Sequence, residues 1–288
     1  MKNELFYALT ESPPTDAVKE KPAVIIISQK DQYYANIVIR NIIKEDSCRI
    51  PLIVLSDILY YKKSSLQSLK FYIRKSGISY TGAMIEKQLI LSFLCRMHRV
   101  FPKLTGDSFE SFEKAAKGKG IEILHENDLE KPAFIDKIRK HSPDYILSVY
   151  SRQIFRKPLL QTPRMHCINI HPSILPKDRG VSPIFWAMSR GENLVGATLH
   201  TMQESVDTGT ILAQTKLEVK EDDTEHGLYY KLSVISSAMI NNFFRNDEEF
   251  IKNSQEMGSG CNYNSIPTRE AFLKLKKNNR RLFTIRQL

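Results

Sequence analysis

The sequence has no paired cysteines. Its four cysteines lie far apart, without the spacing of a zinc site or a redox pair, at Cys48, Cys95, Cys167 and Cys261. We therefore expect free thiols in a reducing compartment, the cytoplasm, with no disulfide bond and no bound metal.

Long apolar runs are also missing. The segment Ile85 to Phe101 is the most apolar of its length, yet it contains Glu86, Lys87, Arg96, His98 and Arg99. That is too polar for a membrane span. The first twenty residues alternate charges and prolines, so they do not resemble a secretory signal.

Acidic residues are scarce relative to basic ones. The chain has 42 Lys and Arg against 32 Asp and Glu, a net charge of +10 at pH 7. This excess favours an anionic partner such as a nucleotide, a polyglutamyl folate, RNA or an anionic surface. A basic surface without a dedicated partner is an equally good interpretation. With 42% hydrophobic residues over 288 positions, the chain has ample material for one large core.

The hydrophobic pattern predicts alternating strands and helices. Ala23 to Ser28 is a continuous β-branched run typical of a buried strand, and Pro51 to Leu55 is a second. Between them, Tyr33 to Lys44 has helical spacing, with Asp31 as the expected cap. The alternation predicts an α/β fold with a doubly wound, mostly parallel, Rossmann-like sheet.

We expect a main domain with three attachments. It covers residues 23–220, preceded by an irregular lead-in at 1–22, interrupted by a basic helical insertion at about 57–106, and followed by a C-terminal helix and short extension at 221–288. Two segments late in the main domain, 196–202 and 210–219, are expected to pair antiparallel.

The insertion has a distinctive charge and apolar pattern. From Ile58 to Lys103 it has nine Lys or Arg residues and one acidic residue, Glu86. Its helix at 83–100 carries an apolar stripe, which we interpret as a core face, formed by Ile85, Leu89, Phe93, Met97 and Val100. A helix that binds a membrane surface or a partner is the alternative.

The residues with chemical potential begin at a strand end. Asn169 and His171 lie two apart in a predicted strand, so their side chains leave the same face. Ligands bind at the carboxyl ends of strands in open α/β sheets. Pro172 and Pro176 stiffen the loop that follows. A carboxamide and an imidazole together can donate hydrogen bonds to a carbonyl oxygen that gains negative charge, as in acyl transfer.

A carboxylate follows 38 positions after Asn169. Asp207 lies in a turn with Gly209 between two predicted strands. A carboxylate next to a histidine raises the imidazole pKa and can relay a proton. Alone, a strand histidine or an Asp-x-Gly turn is more often structural, so the combination carries the functional hypothesis.

Two sequence blocks carry a family resemblance. They are Asn-Ile-His-Pro-Ser-Ile-Leu-Pro at 169–176 and Val-Asp-Thr-Gly-Thr-Ile-Leu at 206–212. In this order and spacing, the chain resembles the folate-dependent formyltransferases, which act on glycinamide ribonucleotide, methionyl-tRNA or amino sugars. The likeness is dense from about 120 to 220 and includes the strand at 196–200.

The resemblance implies a catalytic trio and a formyl donor. The family's Asn-His-Asp set falls on Asn169, His171 and Asp207. It implies direct transfer of the formyl group from 10-formyltetrahydrofolate to an amine, without a metal. Asn169 and His171 would stabilise the charge on the formyl oxygen, and Asp207 would orient or charge His171.

The resemblance also implies contacts for the donor and the acceptor. The expected donor contacts are Ser151, Arg152, Gln153, Ile154, Gln203, Glu204 and Val206. The expected acceptor contacts are Pro172, Ser173, Lys177, Arg179 and Gly180.

The choice of acceptor is narrowed by features in which this sequence differs from particular enzymes of the family. The loop Ser28 to Gln32 has no glycine, so the phosphate cradle of glycinamide ribonucleotide enzymes is not expected there. Methionyl-tRNA enzymes add a C-terminal β-barrel, whereas 221–288 begins with a helical pattern. The hydrolases of the family carry a domain before the first strand, for which 22 residues leave no room. We therefore expect a nucleotide-linked amino sugar.

Two alternatives stay open. One is a methionyl-tRNA formyltransferase-like enzyme, which the basic charge and the two sequence blocks favour. The other is a non-catalytic protein of the same fold that binds folate or a nucleotide. The oligomeric state, a homodimer included, is also open.

Overall fold

The computed structural model describes residues 20–57, 65–105, 107–258 and 262–285. The predicted lead-in up to residue 19, part of the insertion at 58–64 and Cys261 lie outside these ranges.

One seven-stranded sheet forms the centre of the molecule. In chain order its strands are β1 (Ala23–Gln29), β2 (Arg49–Ser56), β3 (Glu122–His125), β4 (Tyr145–Val149), β5 (His166–His171), β7 (Leu194–Thr201) and β8 (Ile211–Glu218). The order across the sheet is β3-β2-β1-β4-β5-β7-β8. The first five pair in parallel, while β5–β7 and β7–β8 are antiparallel. The predicted doubly wound, mostly parallel sheet is confirmed.

A second, two-stranded sheet joins distant parts of the chain. It consists of β6 (Arg179–Gly180) and β9 (Tyr263–Asn264), which pair in parallel. It therefore fastens the C-terminal extension to the loop that follows β5.

Eleven α-helices are described. They are α1 (Tyr33–Glu45), α2 (Ser65–Ser76), α3 (Ile78–Val100), α4 (Pro102–Thr105), α5 (Phe112–Gly118), α6 (Pro132–Lys140), α7 (Lys157–Leu160), α8 (Pro183–Arg190), α9 (Glu225–Arg245), α10 (Asp247–Lys252) and α11 (Arg269–Lys277). The N-cap of α1 is Gln32, whose side chain accepts from the Ala35 amide, so the expected cap at Asp31 was wrong. Asp31 has a left-handed φ of 55° and lies one residue before the cap.

The strands divide their side chains between two apolar cores. In β1, Val24 and Ile26 face the larger core, which includes residues of α1, α8 and α9. Ile25 and Ile27 face a smaller core with residues of α6 and α7. Because both faces of these parallel strands are covered, the strands read as continuous apolar runs. Helix α9 belongs to the larger core, so residues beyond the predicted boundary at 220 pack directly on the sheet.

The described part of the insertion is helical, but its apolar stripe is not a core face. Four of the five stripe residues are exposed, between 46% and 67%: Ile85, Leu89, Phe93 and Val100. The opposite side of α3 faces the protein through Tyr80 and Leu91, both buried. On that side the buried Lys87 ammonium pairs with the Glu225 carboxylate of α9 at 3.3 Å. The core-face interpretation was therefore wrong. No helix among the described residues is long and apolar enough to cross a membrane.

Candidate active site

Strand β5 presents the candidate residues on the smaller-core side of the sheet. Its Ile168 and Ile170 lie in the larger core, while Cys167 lies in the smaller one. Because side chains alternate along a strand, Asn169 and His171 share the face of Cys167. Both are buried, at 9% and 5% exposure. The expected common face of the pair is therefore present.

His200 on the neighbouring strand completes this face. The antiparallel register pairs Asn169 with His200. The His200 Nδ1 lies 2.7 Å from the Thr201 carbonyl oxygen, so Nδ1 carries the proton in the neutral ring. Its Nε2 is then an acceptor, and Asn169 Nδ2 donates to it over 3.1 Å. This bond fixes the orientation of the Asn169 amide.

His200 is held in its neutral form. Burial lowers the pKa of His200 to about 4, against the opposing effect of the Asp207 carboxylate. At neutral pH the ring is therefore uncharged and keeps its Nε2 lone pair for Asn169.

The loop between β7 and β8 brings Asp207 to both histidines. Its Oδ1 lies 3.6 Å from His171 Nδ1 and 3.7 Å from His200 Nε2. The other carboxylate oxygen, Oδ2, accepts a hydrogen bond from the Gly180 amide at 2.8 Å. Nearby, a Cβ on Gly209 would overlap the Thr201 carbonyl oxygen, so this tight turn requires glycine.

The His171 ring is anchored from its other side. Its Nε2 lies 2.9 Å from the Asp178 carbonyl oxygen, so Nε2 carries a proton and donates it. That leaves Nδ1 facing the Asp207 carboxylate. At 3.6 Å this pair is longer than a direct hydrogen bond, so Nδ1 keeps a free direction for a further polar atom.

The segments expected to bind the donor lie beside this trio. The loop after β4 leads into Phe155, and the loop after β7 begins at Met202; both residues pack in or against the smaller core. Five of the seven expected donor contacts are exposed to solvent. The exposed ones are Arg152, Ile154, Gln203, Glu204 and Val206, and Ser151 and Gln153 are intermediate.

One atom in the donor loop lacks a partner. Gln153 Nε2 is buried, and no hydrogen-bond partner for it is present among the described residues. A buried amide N–H left unpaired costs about 1–3 kcal/mol, so such a group is suited to a polar ligand atom. This observation fits the heterocycle of a folate, which is rich in hydrogen-bonding atoms.

Most of the residues expected to contact the acceptor form hydrogen bonds within the protein, in or next to the loop that follows β5. Pro172 and Ser173 are buried, and the Ser173 hydroxyl donates to the Lys177 carbonyl at 2.9 Å. The Arg179 guanidinium donates to the Val206 carbonyl, and the Gly180 amide is taken by Asp207. Lys177 is exposed and lines a cavity of about 270 Å³ behind the loop. Their role toward an acceptor stays a prediction.

Two functional candidates escaped the sequence reasoning. His200 lies in the strand block that carries the resemblance, and its signal was alternation with Thr198 on the polar face of β7. Asp178 is buried at 3% exposure, and its side-chain partners are Arg190 of α8 and two asparagines of the C-terminal extension. No spacing in the sequence links those segments.

The assembled site has the parts for acyl chemistry. Asn169 offers one amide hydrogen beyond the one given to His200. His171 offers Nδ1, and Asp207 places a carboxylate within reach of that nitrogen. Donors for a developing negative charge thus stand next to a group that can accept a proton.

Comparisons with known proteins agree with this chemistry. Residues 101–242 match the family described as Formyl transferase. The methionyl-tRNA formyltransferase of Myxococcus xanthus is 34% identical over 132 residues, which cover 46% of this chain and 42% of that protein. The chain spans less than half the length of the curated relatives that it matches at 34–39% identity.

Solved structures share the fold at low sequence identity. The glycinamide ribonucleotide transformylase 1 of Symbiobacterium toebii has a TM-score of 0.54 at 16% identity, over 80% of this chain and 88% of that one. A sugar N-formyltransferase from Shewanella has a TM-score of 0.50 at 18% identity, over 89% and 87%.

Proposed function

We propose that this chain, whose residues 101–242 match the formyl transferase family, transfers a formyl group from 10-formyltetrahydrofolate to a primary amine in the cytoplasm. The observation that carries the proposal is the Asp207 carboxylate, 3.6 and 3.7 Å from His171 and His200 beside Asn169. A protein that only binds folate has no need of this buried arrangement.

Asn169 and His171 act on the formyl oxygen. An amine attacks the formyl carbon of the bound folate, the bond from that carbon to the folate N10 breaks, and tetrahydrofolate leaves with N10 carrying the proton that the amine has lost. The second Nδ2 hydrogen of Asn169 and the Nδ1 hydrogen of protonated His171 donate to that oxygen as negative charge develops. Both side chains are buried and fixed by other bonds, to His200 and to the Asp178 carbonyl, so they need no reorganisation during the reaction.

Asp207 manages the proton. Its carboxylate faces His171 Nδ1 at 3.6 Å and orients the ring. It also accepts the proton that the amine loses, directly or through a water. The Gly180 amide on its other oxygen holds the carboxylate in place.

The residues of the donor loop fit the folate. The unpaired Nε2 of Gln153 would donate to the heterocycle, and the exposed apolar side chains of Ile154 and Val206 would cover its faces. These assignments rest on the family resemblance together with the orphaned amide.

The acceptor is an amino sugar linked to a nucleotide. The β1–α1 turn contains no glycine, and Lys30 donates its amide to the Ser56 carbonyl, so this turn offers no open backbone cradle of the ribonucleotide type. The excess of basic residues suits the anionic diphosphate of a sugar nucleotide.

Methionyl-tRNA is the second candidate. It is favoured by the curated relatives with that name, which are 34–39% identical over their matched parts. The net charge of +10 is also compatible with an RNA acceptor.

The test is transfer with a panel of acceptors. Purified protein, 10-formyltetrahydrofolate and either a nucleotide-linked amino sugar, glycinamide ribonucleotide or charged initiator tRNA are mixed, and release of tetrahydrofolate is followed. We expect transfer to the amino sugar. Transfer to tRNA alone would assign the second candidate, and folate binding without transfer to any amine would assign a binding protein.

Variants test the catalytic assignment. Asn169→Ala and His171→Ala should each lower kcat about 10²- to 10³-fold, as expected for loss of one donor to a charged oxygen. The matched control is His166→Ala, a partly buried histidine at the opposite end of β5, and should keep the parent rate. Equal rates for His171→Ala and the parent with every active amine would contradict the mechanism.

A further inference from the structure

A buried carboxylate lies at the centre of the loop that follows β5. Asp178 is 3% exposed and has a left-handed φ of 56°. Its Oδ2 accepts from the Arg190 guanidinium of α8, and its Oδ1 accepts from the side-chain amides of Asn262 and Asn264. Three donors thus satisfy a charge that would otherwise be costly to bury.

The C-terminal extension also binds the backbone of this loop. The Asp178 amide donates to Asn262 Oδ1 at 2.8 Å. The Arg179 amide donates to the Asn262 carbonyl, and the Val181 amide donates to the Asn264 carbonyl at 2.9 Å. A Cβ on Gly180, which has a φ of 90°, would overlap that same Asn264 carbonyl oxygen. The segment 178–181 is therefore seated closely against residues 262–264.

Both members of the candidate histidine–aspartate pair form hydrogen bonds with this segment. The Asp178 carbonyl accepts from His171 Nε2 at 2.9 Å. Two residues on, the Gly180 amide donates to Asp207 Oδ2 at 2.8 Å, and the Arg179 guanidinium holds the Val206 carbonyl. A shift of 178–180 consequently moves the imidazole and the carboxylate relative to each other.

We propose that Asn262 and Asn264 are positioning residues for formyl transfer, which fix the His171–Asp207 geometry by holding Asp178 and β6. This rests on the proposed function of the site. The two asparagines contribute to turnover through distance and orientation, without contact to the reacting atoms.

The geometry explains why amides are used for this purpose. Each asparagine has a side-chain carbonyl and a side-chain NH₂, so Asn262 serves the Asp178 amide and the Asp178 carboxylate at once. A lysine would supply only donors and an aspartate only acceptors. Because the Asp178 carboxylate also pairs with Arg190, it connects residues 262–264, the loop that follows β5 and the end of α8.

The experiment compares the parent with Asn262→Ala/Asn264→Ala in the full chain. We expect kcat to fall at least tenfold, with the KM for the formyl donor within about twofold of the parent. Circular dichroism and thermal unfolding establish that the variant is folded. The control is Asn278→Ala, which removes an amide of the same extension that donates to the Ser189 carbonyl of α8; it should keep the parent kcat.

Rescue offers a second variant. Asp178→Asn leaves an amide facing the donors of Asn264 and Arg190, so kcat should fall. Adding Asn264→Asp restores an amide–carboxylate pair with the roles exchanged, and should recover part of the lost kcat. No recovery, with both proteins folded, would contradict a positioning contact between these two residues.

A spectroscopic reading separates this inference from the proposed function. NMR of labelled imidazole nitrogens should show the His171 Nε2–H hydrogen-bonded to the Asp178 carbonyl in the parent, and this bond weakened or lost in the double alanine variant. Unchanged His171 signals together with an unchanged kcat would overturn the inference. If the parent transfers formyl to no amine while the His171 signals still shift in the variant, Asn262 and Asn264 still fix the His171–Asp207 geometry, and the proposed function fails.

Discussion

At the scale of single residues, the positions of the protons on two histidine rings determine how the side chains of the site are oriented. The carbonyl of Thr201 fixes the tautomer of His200, and that tautomer turns the Asn169 amide so that its nitrogen faces the ring. A second carbonyl, that of Asp178, does the same for His171. Two backbone carbonyl oxygens thus determine which hydrogen-bond donors of Asn169 and His171 remain available to a ligand.

The neutral state of His200 makes the fold sensitive to acid. Burial lowers the pKa of His200 to about 4, below the value of about 6.5 in an unfolded chain. As the pH falls below 6.5, the unfolded chain takes up the proton first, so the native state loses stability until about pH 4. His200→Gln, which cannot titrate, should show a shallower loss of Tm across this window.

The control for that measurement is His125→Gln, which removes an exposed histidine at the end of β3. Its Tm should follow the parent at each pH. The other titratable groups facing His200 are Asp207 and His171, and both are retained in all three proteins. The same slope for His200→Gln and the parent would contradict a neutral, buried His200.

At the scale of elements, helix α3 has the opposite orientation to the one that its apolar pattern predicted. Its apolar stripe is exposed, and its inward side holds a lysine. Hydrophobic periodicity identified the helix correctly and its orientation wrongly, because the decisive interaction is an ion pair with Glu225 on α9. That partner lies 138 positions away, and charge alone gives no sign that the two residues meet.

Breaking this ion pair should destabilise the protein strongly. Lys87→Met leaves the Glu225 carboxylate buried without its cation, which costs about 3–5 kcal/mol in comparable cases. Urea unfolding should detect the loss, and the double variant Lys87→Met/Glu225→Gln should recover part of it. As a control, Arg139→Met breaks an exposed pair with Asp136 and should cost below about 1 kcal/mol. Equal losses for the two single variants would contradict a buried pair.

At the scale of the whole molecule, the charge balance predicts the response to salt. A net charge of +10 attracts an anionic acceptor, and added salt screens this attraction. For a nucleotide-linked sugar, we expect the KM of the acceptor to rise a few-fold from 50 to 200 mM salt, at unchanged kcat. A tRNA held by six to ten phosphate contacts would lose about 10³- to 10⁵-fold in affinity over that range. A KM independent of salt would contradict an anionic acceptor.

The sequence predicted those parts of the molecule whose signals are local. Continuous β-branched runs marked the strands, and two contiguous blocks contained Asn169, His171 and Asp207, which the fold brings together. His200 was missed because a single strand histidine resembles a structural one until the register with Asn169 is known. The contact of Asn264 with Asp178 spans 86 positions and depends on one two-residue strand, for which no periodicity exists.

The seating of β6 against β9 has a consequence for protein synthesis. Residues 262–264 are made 55 or more positions after Asp207. At about 5–20 residues per second, roughly 3–11 s pass between them. During that interval a nascent chain holds the three proposed catalytic side chains but lacks the strand that aligns two of them. On the proposed function, such a chain would transfer formyl groups more slowly than one whose residues 262–264 have paired with the loop.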